Sequence, residues 1–140
     1  MNFKMRYWLA GSLLVAALLL TISACASTAN AGPSTTLNVT TTDFMYSPTT
    51  FTVPAGKDIT LNMKNDGKVT HEFVIIKFGE KVTLPFDDDD EPKVYWEQEA
   101  EPGKSVSVKF TAPSEAGTYT IVCGQPEHME AGMVGSLTVQ

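Results

Sequence analysis

Three residues with donor atoms for a soft metal ion lie close together near the end of the sequence: Cys123, His128 and Met133. Copper sites for electron transfer combine two imidazoles and one thiolate with a weakly bound axial thioether. Such a site needs a second histidine, and the chain of 140 residues contains only one other, His71. The sequence therefore predicts a copper site that joins His71 to the segment 123–133.

Each of these residues also has an ordinary structural explanation. His71 could be a hydrogen-bonded histidine at a strand end, Cys123 a buried apolar residue and Met133 a filler of the core. Met129 is a second candidate for the axial position because it follows His128, but consecutive residues do not easily direct both side chains to one metal ion. Met133 follows a flexible glycine and can fold back. The presence of all these donors together favours a metal site over the separate structural explanations.

Alternation of apolar and polar residues predicts the strands that position these donors. The alternation occurs at residues 37–41, 51–53, 59–63, 106–110, 119–123 and 137–139. His71 begins a strand after a turn at residues 65–67, and Cys123 ends its strand on the inward face, so both should lie at one end of the fold. About seven or eight short strands without helical periodicity predict one all-β domain over residues 36–140, an antiparallel sandwich.

The spacing of Cys123, His128 and Met133, with four residues in each interval, resembles the ligand loop of small blue (type 1) copper proteins. Residues 44–48, 53–56, 71–75 and 116–119 are similar to other landmarks of that family, in the same order. The chain thus resembles the cupredoxins, the group of plastocyanin, azurin and auracyanin.

The resemblance implies a Greek-key sandwich that binds one copper ion. His71, Cys123 and His128 would be the equatorial ligands and Met133 the axial ligand, and electrons would pass through the ring edge of His128. Glu72, which follows His71, stands where plastocyanin and azurin have Asn, and the residue before His128 is Glu where azurin has Gly. These differences leave the ligands in place but affect their surroundings.

The number of histidines also limits the function. Copper enzymes need further imidazole-bound metal, and both histidines are already assigned to one site. We therefore expect no enzyme but a mononuclear electron-transfer protein that shuttles single electrons between membrane-associated redox partners. An exported copper carrier, or metallochaperone, is the alternative.

The N-terminus predicts export. Lys4 and Arg6 precede an apolar segment, residues 7–22, and the residues before Cys25 resemble a bacterial lipobox. We expect a lipoprotein signal peptide over residues 1–24, a lipidated Cys25 that starts a flexible tether over residues 25–35, and a protein held on the outer face of the cell membrane or in the periplasm. A cleaved soluble form and an uncleaved anchor are the alternatives, and a disulfide with Cys123 is not expected.

The exported part is acidic. Eight basic and sixteen acidic residues follow Cys25, which gives a net charge of −8. This charge argues against binding to nucleic acid and favours a cationic partner, such as a cytochrome or haem domain. The acidic run Asp87, Asp88, Asp89, Asp90 and Glu91 is the candidate docking site, although such a run can also be merely solvated. It falls in residues 79–103, which we predict to be a long connection that Tyr95 and Trp96 attach to the sandwich.

Overall fold

The computed structural model describes residues 32–140, which form a β-sandwich of nine strands and one short 3₁₀ helix, Asp88–Lys93. The strands are β1 Thr36–Thr42, β2 Met45–Ser47, β3 Thr50–Val53, β4 Asp58–Asn65, β5 His71–Ile76, β6 Val94–Ala100, β7 Ser105–Thr111, β8 Gly117–Val122 and β9 Val134–Val139. Within residues 32–140, no helix has the length and apolar character needed to span a membrane. The predicted signal peptide, Cys25 and most of the tether lie outside the described residues.

Two sheets form the sandwich, as predicted. One has the strand order β2-β1-β4-β7 and the other β3-β9-β8-β5-β6. The pairs β1–β4 and β3–β9 are parallel, whereas the other pairs are antiparallel. Both sheets are therefore mixed.

The core lies between the two sheets and contains the residues that the alternation predicted. Ile59, Leu61 and Met63 of β4 are fully buried, and Tyr119, Ile121 and Cys123 share the inner face at β8. Complete burial of a large apolar side chain stabilises a fold by about 1.5–3 kcal/mol. Because Cys123 extends this inner face by one residue, its sulfur lies at the edge of the dry core.

The prediction of a long connection over residues 79–103 is wrong for its second half, where β6 pairs with β5. Half-buried and exposed residues alternate along β6, but its glutamates made the segment look like a loop. Trp96 stacks on Phe110 with ring centroids 4.5 Å apart, and the Tyr95 hydroxyl donates to the carbonyl of Thr111 at 2.9 Å. Both aromatic residues therefore attach this strand to the sandwich.

A second, smaller apolar cluster covers the outer face of β5 and β8. Val74, Ile76 and Val122 are fully buried there. The partly buried side chains that pack on them are Val82, Phe86, Val94 and Met129. The connection between β5 and β6 thus protects the sheet that carries Cys123 on its other face.

The sandwich has two distinct ends. β1 runs in parallel with β4, from the pair Thr36–Thr60 to the pair Thr41–Asn65, and Asn65 leads into the turn before His71. Residues 32–34 therefore join the domain at the end opposite to His71. β9 leads to the same opposite end, because it starts beside Met133 and finishes at Val139.

Candidate metal centre

The four predicted metal ligands lie at the ends of strands or in the loop between them. His71 is the first residue of β5, Cys123 directly follows β8, and Met133 directly precedes β9. His128 lies in the loop between β8 and β9. All four side chains are buried, and His128 is the most exposed of them at 7%.

Three of these residues gather their donor atoms in one cluster. Nδ1 of His71 and Nδ1 of His128 are 3.3 Å apart, and Sγ of Cys123 is 3.2 Å from Nδ1 of His128. All three donor atoms lie within 4.8 Å of one another. Nitrogen and sulfur ligands bind a metal such as zinc at about 2.0–2.3 Å, so one ion can reach all three atoms with little movement.

Main-chain hydrogen bonds tie the ligand loop together. The N–H of Cys123 donates to the carbonyl of Met133 at 3.2 Å, and the N–H of Met133 donates to the carbonyl of His128 at 3.0 Å. The N–H of His128 donates to the carbonyl of Gln125 at 3.2 Å. The loop therefore holds Cys123, His128 and Met133 in fixed relative positions.

The surroundings of the two loop methionines differ. Met133 is fully buried in the main core together with Cys123, whereas Met129 packs on the outer cluster around Val122. The main core borders the donor cluster. This difference favours Met133 over Met129 as the axial ligand, and the axial role stays a prediction.

Burial controls the protonation of the cluster. It raises the pKa of the Cys123 thiol to about 11, although the main-chain N–H groups of Glu72 and Gln125 act in the opposite direction. Burial, and after it the neighbouring His71, lowers the pKa of His128. Without metal, the thiol is therefore protonated and His128 neutral at pH 7, so a metal ion must displace the thiol proton.

Glu72 connects β5 to the ligand loop. Its main-chain N–H donates to Sγ of Cys123 at 3.3 Å, and its carboxylate accepts from Nε2 of Gln125 at 2.6 Å. The side chain is half-buried, and burial raises the pKa of its carboxyl group. Glu72, the residue after His71, is thus hydrogen-bonded to the loop that carries His128.

Two residues beside the cluster were missed by the sequence analysis, Asp43 and Phe44 in the connection between β1 and β2. Oδ1 of Asp43 is 2.9 Å from Nε2 of His71. The ring of Phe44 lies with its centroid 4.7 Å from that of His128 and 6.3 Å from that of His71. Phe44 is the first residue of the family-like segment 44–48, and this resemblance was the only feature of the sequence that pointed to it. No feature of the sequence pointed to Asp43.

The acidic run comprises the first four residues of the 3₁₀ helix and the residue before it. Asp87 accepts a hydrogen bond from the N–H of Asp89 at 3.0 Å and so caps the helix. Asp87, Asp88, Asp89 and Glu91 are exposed. Asp90 is buried and forms an ion pair with Lys93 at 2.6 Å. The exposed acidic surface thus has four of the five predicted residues.

Comparison with known proteins identifies the family of this chain. A family model described as a cupredoxin-like domain matches residues 13–139. The chain belongs to the cupredoxin-like family. Its cofactor is one copper ion, as in its homologues, and the buried thiolate and imidazole donors fit copper, which such soft ligands select.

Individual relatives agree with this assignment. The copper-resistant cuproprotein CopI of Rubrivivax gelatinosus is 33% identical over 113 residues, which cover 75% of this cupredoxin and 66% of CopI, just under two thirds of its length. The dithionite-reduced auracyanin of the photosynthetic bacterium Roseiflexus castenholzii has a TM-score of 0.68 and 33% identity, over 78% of this chain and 99% of that one. Auracyanin A of Chloroflexus aurantiacus, a blue copper protein, has a TM-score of 0.62 and 28% identity, over 78% of this chain and 100% of that one.

Proposed function

We propose that this cupredoxin is a mononuclear type 1 copper protein that transfers single electrons between membrane-associated redox partners. The observation that supports it is the gathering of His71, Cys123 and His128, all buried, with their donor atoms within 4.8 Å in a hydrogen-bonded frame. A fixed donor set serves both oxidation states of a metal with little rearrangement. Bound copper supplies the Cu(II)/Cu(I) couple.

The chain's own residues have separate roles in this proposal. His71, Cys123 and His128 hold the metal, with Met133 as the axial donor. The dry core beside Cys123 keeps water and oxidants from the thiolate. Phe44, which is 42% exposed, connects the nearly buried ring of His128 to the surface. Both histidines of the sequence belong to this one cluster, so the proposal does not include an enzymatic activity.

The proposed partner is a cationic redox protein, such as a cytochrome or haem domain. The exposed carboxylates of Asp87, Asp88, Asp89 and Glu91 support it, together with the net charge of −8 after Cys25. Opposite charges accelerate the encounter of two proteins more than they stabilise the complex. The lipobox-like sequence supports export and attachment to the membrane through Cys25.

The second candidate function is copper carriage outside the cytoplasm, and the similarity to CopI favours it. That relative is named a copper-resistant cuproprotein, and it shares 33% of its aligned residues with this chain. A carrier must release its metal to another ligand. The burial of His71 and Cys123 opposes ready release, so electron transfer is the stronger proposal.

Repeated reduction and oxidation of the copper-loaded full chain tests the two functions. We expect Cu(II) to give an intense visible band from the Cys123 thiolate, and Cys123→Ser to give none, while Cys25→Ser keeps the colour. Ascorbate should bleach the band and ferricyanide should restore it through many cycles in the presence of a Cu(I) chelator. Loss of copper to the chelator at each reduction would instead support the carrier.

A further inference from the structure

We propose that Asp43 is a positioning residue for the metal centre: it holds His71 in the tautomer that leaves Nδ1 free for copper, and its carboxylate lowers the reduction potential. This inference rests on the proposed copper site. It concerns a residue outside the predicted ligand set. Asp43 lies 28 residues before His71 and reaches it across the end of the sandwich.

The hydrogen bond between the two side chains determines the tautomer. Oδ1 of Asp43 lies 2.9 Å from Nε2 of His71, and an ionised carboxylate can only accept a hydrogen bond. Nε2 of His71 must therefore carry a proton, and in the neutral ring Nδ1 then keeps its lone pair. Nδ1 is also the atom that lies 3.3 Å from Nδ1 of His128, inside the donor cluster.

Asp43 is itself held in place by the turn before β5. The main-chain N–H of Lys68 donates to both carboxylate oxygens of Asp43, at 3.1 Å each. These two hydrogen bonds hold the carboxylate of Asp43 in position beside His71.

A buried asparagine fixes the turn in its own right. Nδ2 of Asn65 donates to the carbonyls of Val69 and Ala100, at 2.8 Å each, and Oδ1 accepts from the N–H of Gly67 at 2.8 Å. The side chain of Asn65 is fully buried. The contact between Asp43 and His71 thus rests on a rigid support.

The carboxylate of Asp43 should shift the reduction potential of bound copper downward. A carboxylate that accepts from the remote N–H of a metal-bound imidazole makes that imidazole a stronger donor, and loss of such partners typically changes metal affinity by 10- to 100-fold. A stronger donor beside a negative charge favours Cu(II) over Cu(I). Asp43 should therefore lower the reduction potential.

The first test replaces the carboxylate by its neutral amide. In Asp43→Asn we expect the preference for Cu(II) over Cu(I) to fall about tenfold, which is about 59 mV for a one-electron couple, measured as a higher midpoint potential by voltammetry. Asp66→Asn is the matched control, because Asp66 is an exposed carboxylate of the same turn that pairs with Lys64. Equal potentials in the two variants would overturn the proposal.

The second test leaves every charge in place. A Cβ atom added to Gly67 would overlap Oδ1 of Asp43 and lie 2.6 Å from Nε2 of His71, so Gly67→Ala must push the two side chains apart. We expect its midpoint potential to rise in the same direction as that of Asp43→Asn. Gly56→Ala is the control for loss of a turn glycine away from His71: its Cβ would meet no atom within 4 Å, and its φ of 64° strains the backbone without touching the metal centre. An unchanged potential in Gly67→Ala contradicts the role of the contact.

The third test needs neither copper nor a variant. Long-range ¹H–¹⁵N NMR of the metal-free wild-type protein should show His71 protonated at Nε2, and protonation at Nδ1 would overturn the proposal. This measurement separates the two proposals, because the tautomer can be read even if the wild-type protein proves not to cycle copper. A purely structural role of Asp43 would alter the unfolding temperature of Asp43→Asn without altering the potential.

Discussion

The ring of Phe44 meets the imidazole of His128 edge to face, with an interplanar angle of 61° and centroids 4.7 Å apart. Phe44 is 42% exposed, whereas His128 is only 7% exposed. A partner that docks over His128 would therefore contact the exposed ring of Phe44 beside the nearly buried imidazole.

Removal of the Phe44 ring should admit water to the metal centre. Because water stabilises the more highly charged Cu(II), we expect Phe44→Ala to lower the midpoint potential and to accelerate removal of Cu(II) by EDTA, with Phe44→Leu intermediate. Phe78→Ala is the control, because Phe78 is similarly exposed and contacts Tyr119 in a different part of the domain. Identical EDTA kinetics in Phe44→Ala and wild type would show that the ring does not protect the site.

The protonated thiol of Cys123 makes copper binding depend on pH. Its pKa of about 11 means that each bound Cu(II) displaces one proton at neutral pH. We therefore expect the apparent copper affinity, measured by competition with a chelator of known pH dependence, to rise about tenfold per pH unit between pH 7 and 9. Cys123→Ser should lose this dependence, and a pH-independent affinity in wild type would contradict thiolate ligation.

The same thiol affects the stability of the metal-free protein at alkaline pH. The folded pKa of about 11 lies above the ordinary value of 9.0, so the unfolded state loses this proton first. The contribution of Cys123 is complete below pH 9 and is lost as the pH rises towards 11, a loss of about 2–3 kcal/mol. Urea unfolding at pH 8 and 10.5 measures about two thirds of this loss, and Cys123→Ser should show a smaller decrease across the same range.

Glu127 is the one non-glycine residue with a positive φ in residues 32–140, at 67°. This left-handed conformation costs roughly 1–2 kcal/mol for a residue with a Cβ atom, partly offset by the greater chain entropy of unfolded glycine. We expect Glu127→Gly to raise the free energy of unfolding by up to about 1 kcal/mol. Glu130→Gly in the same loop removes the same charge without relieving such a conformation, and it should instead destabilise the domain by about 0.5–1 kcal/mol.

The exposed acidic residues should control the rate of electron transfer to a cationic partner. At about 0.1 M salt, screening reduces electrostatic attraction beyond about 10 Å, so the bimolecular rate constant measured by stopped flow should fall as salt is added. Replacing Asp87, Asp88 and Asp89 together by Asn should weaken this salt dependence without altering the visible spectrum. Asp90→Asn should mainly reduce stability, because Asp90 is buried against Lys93. Rates that do not respond to salt would point to apolar docking around Phe44.

The sequence predicted most of the fold because burial of alternate residues appears directly in the order of residues. Leu61 and Cys123 were assigned to inner faces on that basis, and both are fully buried. Strand β6 was missed because it exposes glutamates, whose composition resembles that of a solvated loop. The parallel direction of β1 and β4 could not be predicted, because alternation is the same for either direction.

The same limit applies to the metal centre. His71, Cys123 and His128 could be selected because their side chains have distinctive chemistry and the chain contains few of them. Asp43 could not be selected from the sequence, because it is one acidic residue among sixteen. Its contact with His71 depends on strand pairing and on the turn at Lys68. The structure was needed to find the residues that support the ligands.

The directions of β1 and β9 place both ends of the described chain on the side of the domain away from the metal centre. Both the first described residues and Gln140 lie at the end away from His71, and Gln140 donates its N–H to the carbonyl of Val53 there, at 3.1 Å. A seven-residue strand such as β1 spans about 23 Å. A gold electrode joined rigidly to the protein at either of these segments would hold the domain with Phe44 facing outward, so an immobilised film would exchange electrons more readily with dissolved partners than with the surface beneath it.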